Sequence, residues 1–186
     1  MRTAWRALVC AKRDGKCFVF VDECSTSTSL SPIYGWSRKG KRVCFEAPRN
    51  WGANLTLLSS MSAEGMGASM VVEGSTTKAL FETYAERVLA PALTPGQVVV
   101  MDNLSSHKGS RVRELVEGRG CELLYLPPYS PDLNPIEEAF AKLKALLRKA
   151  GARTREALIE AMGAALDAVT ASDAHGCGYR PLAQPL

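Results

Sequence analysis

The run Cys17-Phe18-Val19-Phe20-Val21 is apolar at every position and stops at Asp22-Glu23. A short β-branched and aromatic run of this kind predicts a buried strand with acids at its C-terminal end. Residues 25–42, rich in Ser, Thr, Gly, Lys and Arg, form a long polar excursion. Val43 to Phe45, Asn54 to Ser60 and Ser69 to Glu73 then read as strands separated by Gly-containing turns, which predicts an antiparallel meander. From Thr76 the period lengthens. Leu80, Phe81, Tyr84, Val88 and Leu89 fall at helical spacing, and Pro91 is expected to stop that helix.

A second acid-ended run follows. Val98-Val99-Val100-Met101 lies between Pro95-Gly96 and Asp102-Asn103, the profile of a central strand buried on both faces. Ser110 to Glu117 predicts a helix closed by Gly118, and Cys121 to Leu126 another strand running into Pro127-Pro128. Asn134-Pro135 then opens a helix to about Ala150, with Asn as N-cap, Pro at the first helical position and Gly151 at the end. Thr154 to about Val169 forms a final Ala-rich helix. This order predicts an α/β fold, a mixed sheet with helices on both faces. There is no internal repeat.

Composition excludes little and charge distribution says more. The chain has 186 residues, 46% of them hydrophobic and 23% charged, which fits one folded domain and excludes a disordered or fibrous chain. The net charge of +4 conceals a division: segments 1–16, 36–49 and 137–155 each carry a net +4, leaving −8 on the remainder. An acidic body with basic segments suits a polyanion on one surface and a cation in another place. No apolar stretch is long enough for a membrane span, and no signal peptide is visible. The six cysteines include no Cys-x-x-Cys pair, so reduced thiols in the cytoplasm are expected.

In an α/β sheet the functional crevice lies beyond the C-terminal ends of the strands, where Asp22 and Asp102 are expected. Taken singly, each can equally be a turn residue. If their strands are neighbours, a divalent cation would resolve the repulsion between the carboxylates. On the helix after Pro135, Ile136, Phe140, Leu143 and Leu147 mark the buried face. Glu137 falls at its edge and Glu138 points away, while Lys144 and Arg148 continue the Glu137 stripe as a cationic line fit for a phosphate backbone. Asp132 reads as a turn residue. Glu23, next to Asp22 on a strand, should face the other way.

These residues carry a resemblance. Asp22 after Phe-Val-Phe-Val, Asp102 in Val-Val-Met-Asp-Asn-Leu-Ser-Ser-His-Lys, and Glu137 in Tyr-Ser-Pro-Asp-Leu-Asn-Pro-Ile-Glu together resemble a DDE transposase of the mariner superfamily, most closely its bacterial insertion-sequence branch. The 34 residues between Asp102 and Glu137 match that arrangement, as does Tyr34-Gly-Trp36-Ser-Arg-Lys-Gly40 after the first acid. The resemblance implies a ribonuclease-H-like fold, DNA cleavage and strand transfer at mobile-element ends, and two divalent cations, magnesium or manganese. Asp22, Asp102 and Glu137 would be both the catalytic residues and the metal ligands. Asn103 and His107 would orient a phosphate or water, or hydrogen-bond within their loop. Trp36 with Arg38, Lys39, Lys41 and Arg42 would insert into DNA, or the basic residues would contact phosphates only.

The partners implied are terminal-repeat and target DNA, a second copy of the chain on DNA, and a separate helix-turn-helix module that reads the element's ends. On this reading 1–16 is a linker remnant, 17–175 the catalytic domain and 176–186 a C-terminal tail, in a cytoplasmic, nucleoid-associated protein. The alternative is a non-catalytic remnant that retains only DNA binding or the fold.

Overall fold

The structure is a computed structural model that describes residues 17–44, 54–104, 109–128 and 130–176. Five strands form one sheet in the order β3-β2-β1-β4-β5. β1 (Phe18–Ser27), β2 (Asn54–Ser62) and β3 (Gly65–Glu73) are the antiparallel meander. β4 (Val98–Met101) and β5 (Glu122–Tyr125) add in parallel on the other side of β1. The sheet is therefore mixed, and β1 is the strand at which its sense changes.

Alternation along the strands divides the core into two layers. Phe18, Phe20, Val98 and Val100 point to one face, where they meet Ile136, Phe140, Leu143, Leu158 and Met162. The helices supplying these residues are α3 (Ile136–Ala150) and α4 (Arg155–Asp167), followed by the short α5 (Ala171–Ala174). Val19, Val21, Val99 and Met101 point to the opposite face, against Phe81, Tyr84, Leu89, Val112 and Val116. Those belong to α1 (Lys78–Tyr84) with its continuation, and to α2 (Ser110–Glu117). Helices thus cover both faces, as expected. Each fully buried Leu, Val or Phe contributes about 1.5–3 kcal/mol.

Three local expectations need correction. Pro91 does not stop its helix: α1 runs on through a π-helical segment, Ala85–Leu89, and a last turn, Ala90–Ala92, that contains the proline. A proline ring clashes with the carbonyl four residues before it, and widening the preceding turn removes that clash. Second, Val43 and Cys44 are not in a strand, and the rest of that expected strand lies outside the described residues. Third, β1 does not end at the acids but continues to Ser27, because β2 pairs with it along that whole length, through Ser27 opposite Asn54.

α3 packs lengthwise on the face that carries Phe18 and Phe20. Its buried residues recur at intervals of three and four, so one stripe faces the sheet. Gly151 ends it at φ +62, a left-handed conformation that glycine adopts without strain, and its N–H donates to the Leu147 carbonyl.

Candidate active site

β1 and β4 pair in parallel from Phe18 opposite Val98 to Val21 opposite Met101, and no further. At the next residue β4 turns away: the Leu104 N–H donates to Asp102 Oδ1 at 3.2 Å, an Asx-type turn. β1 keeps going against β2 alone. The two strands therefore part immediately after Val21 and Met101, and Asp22 and Asp102 stand at the mouth of the opening. Strand alternation puts Asp22 on the face of Phe18, Phe20 and Cys24, under α3. Glu23 is directed to the other face as expected, and its N–H donates to Asp22 Oδ1 at 2.7 Å.

A cavity of about 420 Å³ occupies this opening. It is lined by Asp102, Asn103, Leu126, Pro127, Asn134 and Glu137, among others. Asp22 is joined to it through Asn134, whose Nδ2 donates to Asp22 Oδ2 at 2.8 Å. Asp22 and Asp102 are half-buried, while Glu137 and Asn103 are exposed. Glu137 enters from the first turn of α3, where its N–H donates to the Asn134 carbonyl at 3.1 Å. Asp102, from the end of β4, and Glu137, from α3, thus line one cleft, and Asp22 on β1 is linked to its wall through Asn134.

Asn134 departs from expectation. Its side chain makes no capping hydrogen bond, and α3 begins with Pro135 at the cap position. The amide is turned inward to Asp22 instead, because Asn134 is buried and a carboxylate is the stronger acceptor within its reach. A contact across 112 residues leaves no local signal in the sequence.

Lys144, on the stripe that Glu137 begins at the edge of the buried face, is half-buried and interacts with the side chain of buried Cys24, two residues after Asp22. Burial pushes the Cys24 thiol pKa up, the Lys144 charge opposes that rise, and the Asp22 charge adds to it. Arg148 is half-buried farther along the same helix. His107 lies outside the described residues.

Residues 32–44 form an exposed arm. Trp36 is 101% exposed and Tyr34 89%, with Arg38, Lys39, Lys41 and Arg42 all exposed around them. The arm has a defined turn: the Lys41 N–H donates to the Arg38 carbonyl at 2.9 Å, and Ser37 Oγ donates to the Lys41 carbonyl at 2.7 Å. Gly40 takes φ +83 there. A side chain at Gly35 would come within 2.7 Å of Val43 Cγ1, so the two limbs touch. At the base, Arg153 Nη1 donates to the carbonyls of Thr28 and Leu30 at 2.9 and 2.8 Å.

Chemically, the cleft offers carboxylate oxygens and one amide, a donor set suited to hard divalent cations. Asp22 accepts hydrogen bonds from the Glu23 N–H and the Asn134 amide. Among the described residues no group of three or more His, Cys, Asp or Glu is arranged to hold a metal ion. No helix among the described residues is long and apolar enough to cross a membrane.

Comparison with known proteins places this geometry. The chain is similar to the Mos1 transposase in a paired-end complex with the left transposon end, with a TM-score of 0.74 and 16% identity over 97% of this chain and 58% of that one. It is similar to the Mos1 mariner paired-end complex with Mn at a TM-score of 0.72 and 20% identity, covering 97% of this chain and 56% of the other. Against the isolated catalytic domain of the Mos1 mariner transposase the TM-score is 0.59 at 18% identity, covering 98% and 88%. The fold is therefore the ribonuclease-H-like one of these catalytic domains, and the chain spans under two thirds of the longer Mos1 chains. No curated protein sequence matches it. The sequence profile described as DDE superfamily endonuclease matches residues 17–159, and the chain belongs to that family.

Proposed function

We propose that this chain is the catalytic domain of a mariner-type DDE transposase that cleaves and joins DNA at the ends of a bacterial insertion sequence. The observation that carries the proposal is the cleft lined by Asp102 and Glu137, with Asp22 hydrogen-bonded to Asn134 in its wall, within the segment matched by the family profile. The longer Mos1 relatives were captured with transposon-end DNA, and one of them with Mn, which supports DNA as the partner and divalent cations as the cofactor.

Asp22, Asp102 and Glu137 would hold two magnesium or manganese ions. When bound, such ions stabilise both the attacking and the leaving oxygen of an in-line displacement at phosphorus. The protein's part is to position and to screen charge. Asp22 is fixed by Asn134 and by the Glu23 N–H, Asp102 by its own turn, and Glu137 by the first turn of α3. Asn103 lies in the cleft wall, placed to orient a phosphate oxygen or water. Water attacks the phosphodiester in the first step and frees a 3′ hydroxyl, which attacks target DNA in the second. The basic arm with Trp36, together with Lys144, Arg148 and His107, would contact the DNA.

Residues 17–175 form the catalytic domain on this reading, with 1–16 as linker and 176–186 as tail. A second copy and a helix-turn-helix module would complete the assembly on DNA, in the bacterial cytoplasm at the nucleoid. Nicking of DNA bearing the flanking terminal repeats, assayed with magnesium or manganese, tests the proposal. Metal-dependent nicking that Asp102→Asn abolishes supports it; a folded wild-type chain with no nicking under any metal identifies a non-catalytic remnant.

A further inference from the structure

Asn134 makes two connections at once. Its backbone carbonyl accepts the Glu137 N–H at 3.1 Å, and its side-chain Nδ2 donates to Asp22 Oδ2 at 2.8 Å. It therefore ties the strand that carries one acid to the helix turn that carries another. The following Pro135 limits the backbone on one side, and 4% exposure limits the side chain.

The orientation of the amide follows from its partner. An ionised carboxylate only accepts, so Nδ2 must face Asp22, and Oδ1 must face the other way. Oδ1 is buried there, with no hydrogen-bond partner among the described residues. A buried acceptor left unmade is destabilising, and an apolar side chain of similar volume would avoid it. Nor does the side chain cap α3. What the amide supplies is a single fixed donor to Asp22.

We infer that Asn134 is a positioning residue that presets the Asp22 carboxylate for divalent-cation binding. This rests on the metal-binding role proposed above for Asp22. Metal ligands need oriented outer partners, whose removal costs roughly 10–100-fold in affinity.

The experiment is Mn²⁺ titration of the full chain by electron paramagnetic resonance, with nicking measured over the same Mn²⁺ range. Asn134→Ala removes the donor, and Asn134→Leu removes it while filling the space. The expected result for both is a melting temperature equal to or above wild type. Mn²⁺ affinity should be lower by roughly 10–100-fold, and half-maximal nicking should shift to correspondingly higher Mn²⁺. Nicking at saturating Mn²⁺ should stay within about threefold of wild type, which a damaged fold would not allow. In an Asp22→Asn background, Asn134→Ala should change Mn²⁺ affinity by less than about twofold, since the two act through one bond. Folded variants with wild-type affinity overturn the inference while leaving the metal site standing, as does an equal loss in the Asp22→Asn background. A wild-type chain that binds no Mn²⁺ overturns the metal site and this inference with it.

Discussion

Val21 and Met101 face each other across the last parallel rung between β1 and β4. The next residue on each strand is an aspartate, and there the strands separate. Asp102 folds its carboxylate back onto the Leu104 N–H, while β1 continues to Ser27 with β2 as its neighbour. Strands are spaced about 4.8 Å apart where they pair, and that pairing ends one residue before each aspartate. The crevice is thus a consequence of β1 being longer than its parallel partner.

This relationship makes Asp102 the cleanest variant to examine. Asn keeps the size and the Asx turn but removes the charge, so the fold and the β4 pairing should persist. Nicking should fall by more than about 100-fold, the upper end of what the loss of an outer partner costs, with the melting temperature unchanged. Nicking at the wild-type rate by Asp102→Asn would remove Asp102 from the site.

The arm supports a prediction that separates its two modes of DNA binding. Alanine at Arg38, Lys39, Lys41 and Arg42 should reduce the slope of log affinity against log salt by about 0.9 for each phosphate that is no longer neutralised. Trp36→Ala leaves that slope alone. If the indole stacks on a base, affinity falls by about 1–3 kcal/mol; if the arm touches phosphates only, affinity is unchanged. Neither set should lower the melting temperature, because these side chains are exposed. Cys44, exposed at the end of the arm, reports the same event, since DNA should slow its alkylation in a peptide-resolved mass analysis.

Much of this arrangement was legible because it is local. The apolar runs before Asp22 and Asp102 specify strands, and the spacing of Ile136, Phe140, Leu143 and Leu147 specifies which side of α3 is buried. From those two patterns the common cleft follows. What escaped depends on partners distant in the chain. β1 outruns its apolar stretch because β2 pairs with it, so polar Ser25, Thr26 and Ser27 remain in strand. Asn134 sits in a sequence context that favours capping, and only the approach of Asp22 shows where its amide goes. Lys144 lies on a helical stripe that reads as a cationic line for phosphate, and nothing local shows that Cys24 comes beside it.

The packing of α3 carries the largest expected stability effect. Leu143 is fully buried, in the layer that holds Phe18, Phe20 and Val100. Leu143→Ala strips away that packing and leaves a void, at a cost of about 2–5 kcal/mol. At about 2–4 °C per kcal/mol for a chain of this size, melting should fall by roughly 4–20 °C. The same variant should weaken Mn²⁺ binding, because Glu137 and the Asn134 hydrogen bond ride on the helix that loosens. A melting curve that does not move would mean that the sheet holds α3 through other residues.

Acid should release the far end of the helical layer by a defined route. Asp173 Oδ1 pairs with Lys142 Nζ at 2.7 Å, and Oδ2 accepts from the Thr170 N–H and hydroxyl at 2.8 Å. The Lys142 hydrogen bond first, then those from Thr170, lower the Asp173 pKa from 3.8 to about 2. A carboxylate whose pKa is depressed by folding stabilises the fold above its unfolded value and loses that contribution as pH falls through the folded one. The contribution is therefore complete above about pH 5 and is lost progressively as pH falls through 3.8 and then about 2. Asp173→Asn should melt below wild type by a constant interval at neutral pH. That interval should shrink as pH drops from 3.8 through 2 and close below it, where both proteins carry a neutral side chain. The pair is exposed to solvent, so added salt should narrow the interval at neutral pH as well. An interval that persists unchanged at pH 2 would assign the effect of Asp173 to the Thr170 cap geometry rather than to its charge.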